Sequence, residues 1–245
     1  SIHFYSLRFD TLPPSEGSWT RPIGDLMEDT ARQVRYCRER GKRLIAAEMG
    51  TFYFGWRMND PAGVASADAT LTVAEGTVRG LNAGLGAFGF WSFMNPNDID
   101  GWFGIVGLDA DNKLQRTRHP WGVYGLLSRH ARPGSRVYPL HVQPARNLSV
   151  VHGTALVAPS GERTILLVSD EKAQRARLEL LLPEPLRARR WSRVTTDRVR
   201  LQQALPAIEP ADPARLPVVV NPMSLTVLTA PAKAPCTSSA RTQVS

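Results

Sequence analysis

Up to about residue 134 the chain alternates strand-like and helix-like patterns; beyond it only short strand-like runs recur. That change of grammar limits the possible folds more than any other feature. Residues 1–7 alternate and include Phe4 and Tyr5, which predicts a strand. Ile23, Leu26, Met27, Thr30, Val34 and Cys37 recur at spacings of three and four, which predicts a helix over 22–40. Gly41 is placed to end it, because glycine takes the left-handed C-cap conformation without a Cβ penalty. Residues 42–48 then read as a short buried strand ending in the carboxylate of Glu48. A helix is expected over 66–83 with Ser66 as its N-cap, an apolar aromatic strand over 86–94, and a helix over 120–130 that opens on a proline. Strands begin about 40 residues apart, which suits parallel βα units with functional loops.

The second half reads differently. Strand-like runs at 137–142, 148–158, 163–169, 177–182, 188–195, 217–220 and 225–229 are separated by turn residues such as Pro159, Ser160 and Gly161. Even spacing of this kind predicts an antiparallel sandwich or barrel. The Pro/Ala/Ser/Thr-rich tail from Ala230 is expected to be disordered. The expected class is therefore α/β plus β: a βα domain over 1–134, a β-sandwich over 135–230 and a tail over 231–245.

Charge is divided as unevenly as pattern. The chain holds 14 basic and 14 acidic side chains up to His130, then 16 and 8, which accounts for its formal charge of +8. Such asymmetry can mark a polyanion partner. The arginines here stand singly among apolar residues, as in Arg187, Arg189, Arg190 and Arg193 around Trp191. This is the pattern of a half-buried strand with arginines on its wet face, so neither nucleic acid nor membrane is expected as a partner. No apolar run approaches the roughly 18–20 residues that span a bilayer. Two cysteines make no disulfide framework; Cys37 reads as a small buried hydrophobe and Cys236 lies in the tail. Nucleotide-binding loops, nucleophile elbows and Cys/His metal clusters are absent from the sequence, and no cofactor is expected.

The strand ends carry the chemistry. His3 and Tyr5 share one face of the first strand because side chains alternate, Glu48 ends the second, and Trp91 to Asn95 end the third. A carboxylate, an imidazole, a phenol and an indole on neighbouring strands suit a sugar: the carboxylate meets an oxocarbenium-like centre, and aromatic faces pack on pyranose rings. Each residue also has a duller reading. Glu48 could pair with an arginine; His3, Tyr5 and Trp91 could be core; Phe52 to Trp56 could be a lid or packing under a loop. Asp98 and Asp100 fit ordinary turn chemistry better than a Ca²⁺ site, and the sequon at Asn147 carries no weight.

These motifs resemble clan A glycoside hydrolases of families 30, 5 and 39. His3-Phe4-Tyr5 is similar to the H-x-Y at the end of barrel strand six, Glu48-Met49-Gly50 to the E-x-G of strand seven, and Phe90-Trp91-Ser92-Phe93 to the aromatic end of strand eight. The run from Tyr124 to Ser135 is similar to the final barrel helix that leads into a C-terminal sandwich. The resemblance implies the C-terminal portion of a (β/α)8 TIM barrel, strands six to eight, followed by an antiparallel β-sandwich. It implies a retaining glycosidase acting on a β-linked carbohydrate, with Glu48 as nucleophile, Tyr5 holding it and His3 in the proton network. Trp91, Asn95, Trp56 and Trp102 become substrate contacts. The family's acid/base on strand four has no counterpart here, so a parent chain is expected to supply the missing barrel half, and the chain alone is expected to be a fragment of low competence. Substrates of this class point to an extracellular or periplasmic site. A different class, a non-catalytic carbohydrate- or polyanion-binding sandwich protein, would have no use for the strand-end set His3, Tyr5, Glu48 and Trp91.

Overall fold

The computed structural model describes residues 1–7, 21–51, 67–90, 93–95, 104–117, 119–140, 151–169 and 175–232. Strands β1 (Ile2–Leu7) and β2 (Arg21–Pro22) precede helix α1 (Ile23–Arg38), followed by β3 (Ala46–Thr51), α2 (Ala67–Ala83) and β4 (Phe88–Phe90). The four strands form one sheet in the order β2-β1-β3-β4, and every pairing in it is parallel.

Both helices end in the same glycine device. Gly41 has φ 65° and Gly84 has φ 96°. Lys42 N–H donates to the Cys37 carbonyl at 2.9 Å and Gly41 N–H to Arg38 at 3.0 Å; Leu85 and Gly84 repeat the pattern onto Gly80 and Leu81. These Schellman caps satisfy helix carbonyls and turn the chain back toward the sheet. The cap consumes Lys42, so the second strand begins not at 42 but at Ala46, and it runs beyond Glu48 to Thr51. Met27, Val34, Leu44, Ala46, Met49 and Leu85 fill the space between helices and sheet, with Cys37 packed at the margin as the expected small hydrophobe.

The apolar run over 86–94 does not make one strand. β4 takes Phe88–Phe90, while β5 (Met94–Asn95) joins a separate sheet with β6 (Val106–Leu108) and β7 (Leu114–Thr117). β6 and β7 form an unforeseen hairpin. Its turn is set by Asp109, whose carboxylate accepts N–H bonds from Asp111 and Lys113, and by Asn112 at φ 59°. Helix α3 (His119–His130) follows.

The remaining strands are β8 (Arg136–Leu140), β9 (Val151–Val157), β10 (Arg163–Ser169), β11 (Ala176–Leu181), β12 (Trp191–Asp197), β13 (Gln203–Ile208), β14 (Arg215–Val220) and β15 (Ser224–Ala230). Six of them form an antiparallel sheet, β13-β12-β15-β10-β9-β8, and β11 pairs with β14 alone. The sequence misses β13. It pairs only with β12, is mostly exposed and carries Pro206, all of which an edge strand tolerates. The strand expected over 188–195 begins instead at Trp191, because the preceding arginines serve the connection. Arg187 donates to the Leu182 carbonyl at 3.2 Å and Arg190 pairs with Glu209 at 3.3 Å. Nor are all arginines solvated: Arg163 is buried and donates to the carbonyls of Pro185 and Pro231.

Alternation sends the two faces of this sheet to different partners. Ile165, Leu167 and Leu228 pack with Trp191, Leu186 and Leu216 on the side of the two-stranded sheet. Leu166, Val168, Leu225 and Val227 face α2 and α3, through Leu71, Ala74, Val78, Val123 and Leu126. Helix α2 thus joins both halves. Buried Glu75 lies on it, pairing with Arg79 at 2.9 Å and with His152 of β9 at 3.0 Å. Asn82 adds a 2.9 Å bond to the Gly153 carbonyl. No helix among the described residues is long and apolar enough to cross a membrane. Ser66, the sequon and the tail from residue 233 lie outside the described residues.

Candidate active site

The site grows from an irregularity in β3. Ile2 faces Ala46 and His3 faces Glu48, so β3 carries one more residue than β1 across that step. The same surplus recurs on the other side, where Ala46 faces Phe88 and Met49 faces Phe90. Ala47 is therefore a bulge, and a bulge re-aims the side chains beside it. Ala46 and Met49, three apart, both point into the helix-side core, and the Met49 thioether lies 3.9 Å from the Thr77 hydroxyl. Glu48 is left on the opposite face of the sheet, with its side chain 31% exposed.

Gly89 makes the bulge possible. A Cβ added there would lie 2.4 Å from the Ala47 carbonyl oxygen, a backbone atom that cannot move aside cheaply. The apolar strand pattern gives no reason for a glycine between Phe88 and Phe90; the bulge of the adjacent strand does.

On this face His3 Nδ1 stands 3.4 Å from Glu48 Oε2. The imidazole is half exposed and the carboxylate half buried, so the pair is reachable from solvent yet held by two hydrogen-bonded strands. A carboxylate placed this way can act as a nucleophile, as a base, or as a partner to developing positive charge. The imidazole can hold its geometry or exchange a proton with it.

The structure thus brings together two of the expected residues. The backbone of Tyr5 pairs with Gly50, one alternation further along the same face, but its side chain lies outside the described residues. Asn95 is in β5, its side chain likewise outside; Trp56, Trp91, Trp102, Asp98 and Asp100 lie outside altogether. Among the described residues no group of three or more His, Cys, Asp or Glu could hold a metal ion. A cavity of ≈ 780 Å³ opens elsewhere, at the N-terminal ends of β3 and β4 and away from Glu48. In parallel βα architectures the chemistry sits at the C-terminal ends, so geometry rather than cavity size marks Glu48.

Sequence reasoning missed the Glu75, Arg79 and His152 cluster. The signal was present: a lone Glu75 inside the apolar run from Leu71 to Val78 demands a buried partner.

No protein-family model matches the chain, and no curated protein matches it. Solved structures do. A glycoside hydrolase family 30 subfamily 8 xylanase from Clostridium acetobutylicum superposes with a TM-score of 0.61 at 16% identity, covering 81% of this chain and 45% of the xylanase. A family 51 arabinofuranosidase from Xanthomonas axonopodis pv. citri gives 0.58 at 16% identity, covering 93% of this chain and 51% of its own. A conserved exported protein from Bacteroides fragilis gives 0.62 at 12% identity, covering 85% and 43%. The chain spans about half the length of the structures it matches. At these identities the likeness is one of fold, and it runs to clan A glycosidases, as the strand-end motifs imply.

Proposed function

We propose that this chain is the C-terminal part of a retaining glycoside hydrolase acting on a β-linked carbohydrate, with Glu48 as its nucleophile. In this reading β1, β3 and β4 are strands six to eight of a TIM-type barrel within 1–134, and a β-sandwich occupies 135–230. The observation that carries it is the Glu48–His3 pair: a carboxylate aimed by a bulge onto the face of a parallel sheet opposite the helices, 3.4 Å from an imidazole on the next strand.

Retention needs two carboxyl groups. One attacks the anomeric carbon while the other, about 5–5.5 Å away, protonates the leaving oxygen; the second then deprotonates the water that releases the sugar. Glu48 suits the first role because its oxygens are reachable and its backbone is fixed on both sides. It is the only carboxylate on β1, β3 and β4. Three such strands cannot fill the interior of an eight-stranded barrel. The acid/base and the remaining strands therefore belong, in this reading, to the rest of the parent polypeptide. Tyr5 would donate to Glu48, His3 would tune the local proton network, and Trp91, Asn95, Trp56 and Trp102 would contact the sugar. Substrates of this kind place the parent outside the cytoplasm.

Mechanism-based labelling tests the reading. Activated 2-deoxy-2-fluoro glycosides barely need an acid catalyst, so they probe the nucleophile by itself. The expected result, on this chain or on the longest polypeptide that contains it, is one added glycosyl unit mapped by peptide mass to Glu48 and absent in Glu48→Gln. An adduct on another carboxylate, or none on the longest polypeptide across glucose, galactose, mannose and xylose donors, overturns it.

A further inference from the structure

The ≈ 780 Å³ cavity at the N-terminal ends of β3 and β4 plays no part in that chemistry. It is an open cavity lined by the C-terminal parts of α1, α2 and α3, by the connections that follow them, and by Val137 of β8 and Leu156 of β9. Its floor is apolar, with Leu44, Leu81, Leu85, Phe88 and the Tyr124 ring among the lining side chains. Its rim holds four cations, Arg38, Lys42, Arg43 and Arg132, and among the described residues no acidic side chain lines it. None of the four is ion-paired among the described residues.

Basic residues at helix C-termini have an ordinary explanation, since they offset the negative end of each helix dipole. Magnitude decides whether that suffices. Three helix ends contribute about half a negative charge each. Four cations exceed that by about two and a half elementary charges, over a concave surface where low-dielectric walls focus the field. Three glycines in the left-handed conformation, Gly41, Gly84 and Gly134, line the cavity and present no side chain to it.

We propose that this cavity binds a small amphipathic anion: a carboxylate, sulfate or phosphate head held by Arg38, Lys42, Arg43 and Arg132, on an apolar body that lies against Leu81, Leu85 and Phe88. A volume of this size falls in the range of pockets that enclose ligands of drug-like size. The apolar floor disfavours inorganic anions as the preferred occupant, and a rim with no ion pair among the described residues disfavours neutral hydrophobes.

The test uses 8-anilinonaphthalene-1-sulfonate as probe and N-phenyl-1-naphthylamine as its uncharged counterpart, each titrated by fluorescence into the full chain. The expected result is one saturable sulfonate site, with the amine at least tenfold weaker and inorganic sulfate a poor competitor. The double variant Arg38→Ala, Arg132→Ala weakens the probe at least tenfold. Ala87→Trp, which places an indole in the cavity from its exposed edge, abolishes binding while the circular dichroism spectrum stays unchanged. Equal affinity for the uncharged compound, multiple unsaturable sites, or full binding by both variants overturns the proposal. Sulfate competing as well as the probe overturns the apolar half of it.

Discussion

The two halves of the molecule handle burial in opposite ways. Every residue of β10, from Arg163 to Ser169, is buried, because the six-stranded sheet is covered by β11 and β14 on one side and by α2 and α3 on the other. In the parallel sheet all three residues of β4 are only partly buried, and His3 and Glu48 look onto a face with no apolar layer among the described residues. A parallel sheet is at home with both faces covered. The antiparallel sheet is thus covered on both faces, on one of them by helices of the βα half, whereas among the described residues one face of the parallel sheet is not. The sheet covered on both faces should carry most of the stability; the proposed chemistry lies on the other.

The largest effect should come from the closed half. Trp191 is fully buried between its two sheets, and Trp191→Ala removes the biggest side chain of that core. A loss of about 3–5 kcal/mol is expected, read by denaturant unfolding as a lower midpoint for the whole chain. If the sandwich signal shifts and the helical signal does not, the halves unfold separately and α2 does not couple them.

Next comes the joint between the halves. Glu75→Ala leaves Arg79 and His152 facing an empty buried site, at a cost of about 3 kcal/mol or more. The pH dependence gives a finer reading. Burial pushes the Glu75 carboxyl up, but hydrogen bonds and positive charge from His152 and then Arg79 outweigh it and hold the group below its ordinary value. A carboxyl lowered by folding contributes stability that is complete above its unfolded pKa and is lost as pH falls through the folded one. Wild-type stability should therefore drop in acid along a limb that Glu75→Gln flattens. Parallel curves for the two proteins would show that the cluster does not gate acid unfolding.

Gly89→Ala should cost less, about 1–3 kcal/mol, by driving a methyl into the Ala47 carbonyl. Its consequence is local: the bulge shifts and Glu48 turns with it, so labelling should fall far more than the melting temperature. Equal losses in both would mean the bulge serves packing alone.

How much of this the sequence revealed follows the same division. Local signals located all three helices within two residues: three- and four-residue spacing with Gly41 for α1, the candidate cap Ser66 for α2, and the opening proline for α3. The strand pattern placed Glu48 on the strand after that of His3, and the register sets the two residues across from each other. It misplaced the start of β3, because Lys42 looks like strand while its N–H is spent capping α1. It missed β13 and the β6–β7 hairpin, whose pairing partners rather than their own apolar pattern make them strands. The bulge at Ala47 was illegible for a similar reason: the requirement appears as a glycine on another strand, 42 positions away in Gly89, and only the register connects them.

The smallest expected change in stability belongs to Glu48, the residue on which the proposed function rests. Glu48 is partly exposed and its imidazole neighbour more so, and pairs of that kind contribute about 0–1 kcal/mol. Glu48→Gln keeps the shape and removes the charge, so its unfolding midpoint should stay close to wild type while glycosyl labelling vanishes. His3→Gln should leave the fold as it is and slow labelling without moving the label. Should Glu48→Gln unfold the parallel half, the carboxylate would be a strut of the sheet, and the contrast between a closed structural half and an open chemical one would fail at the residue that defines it.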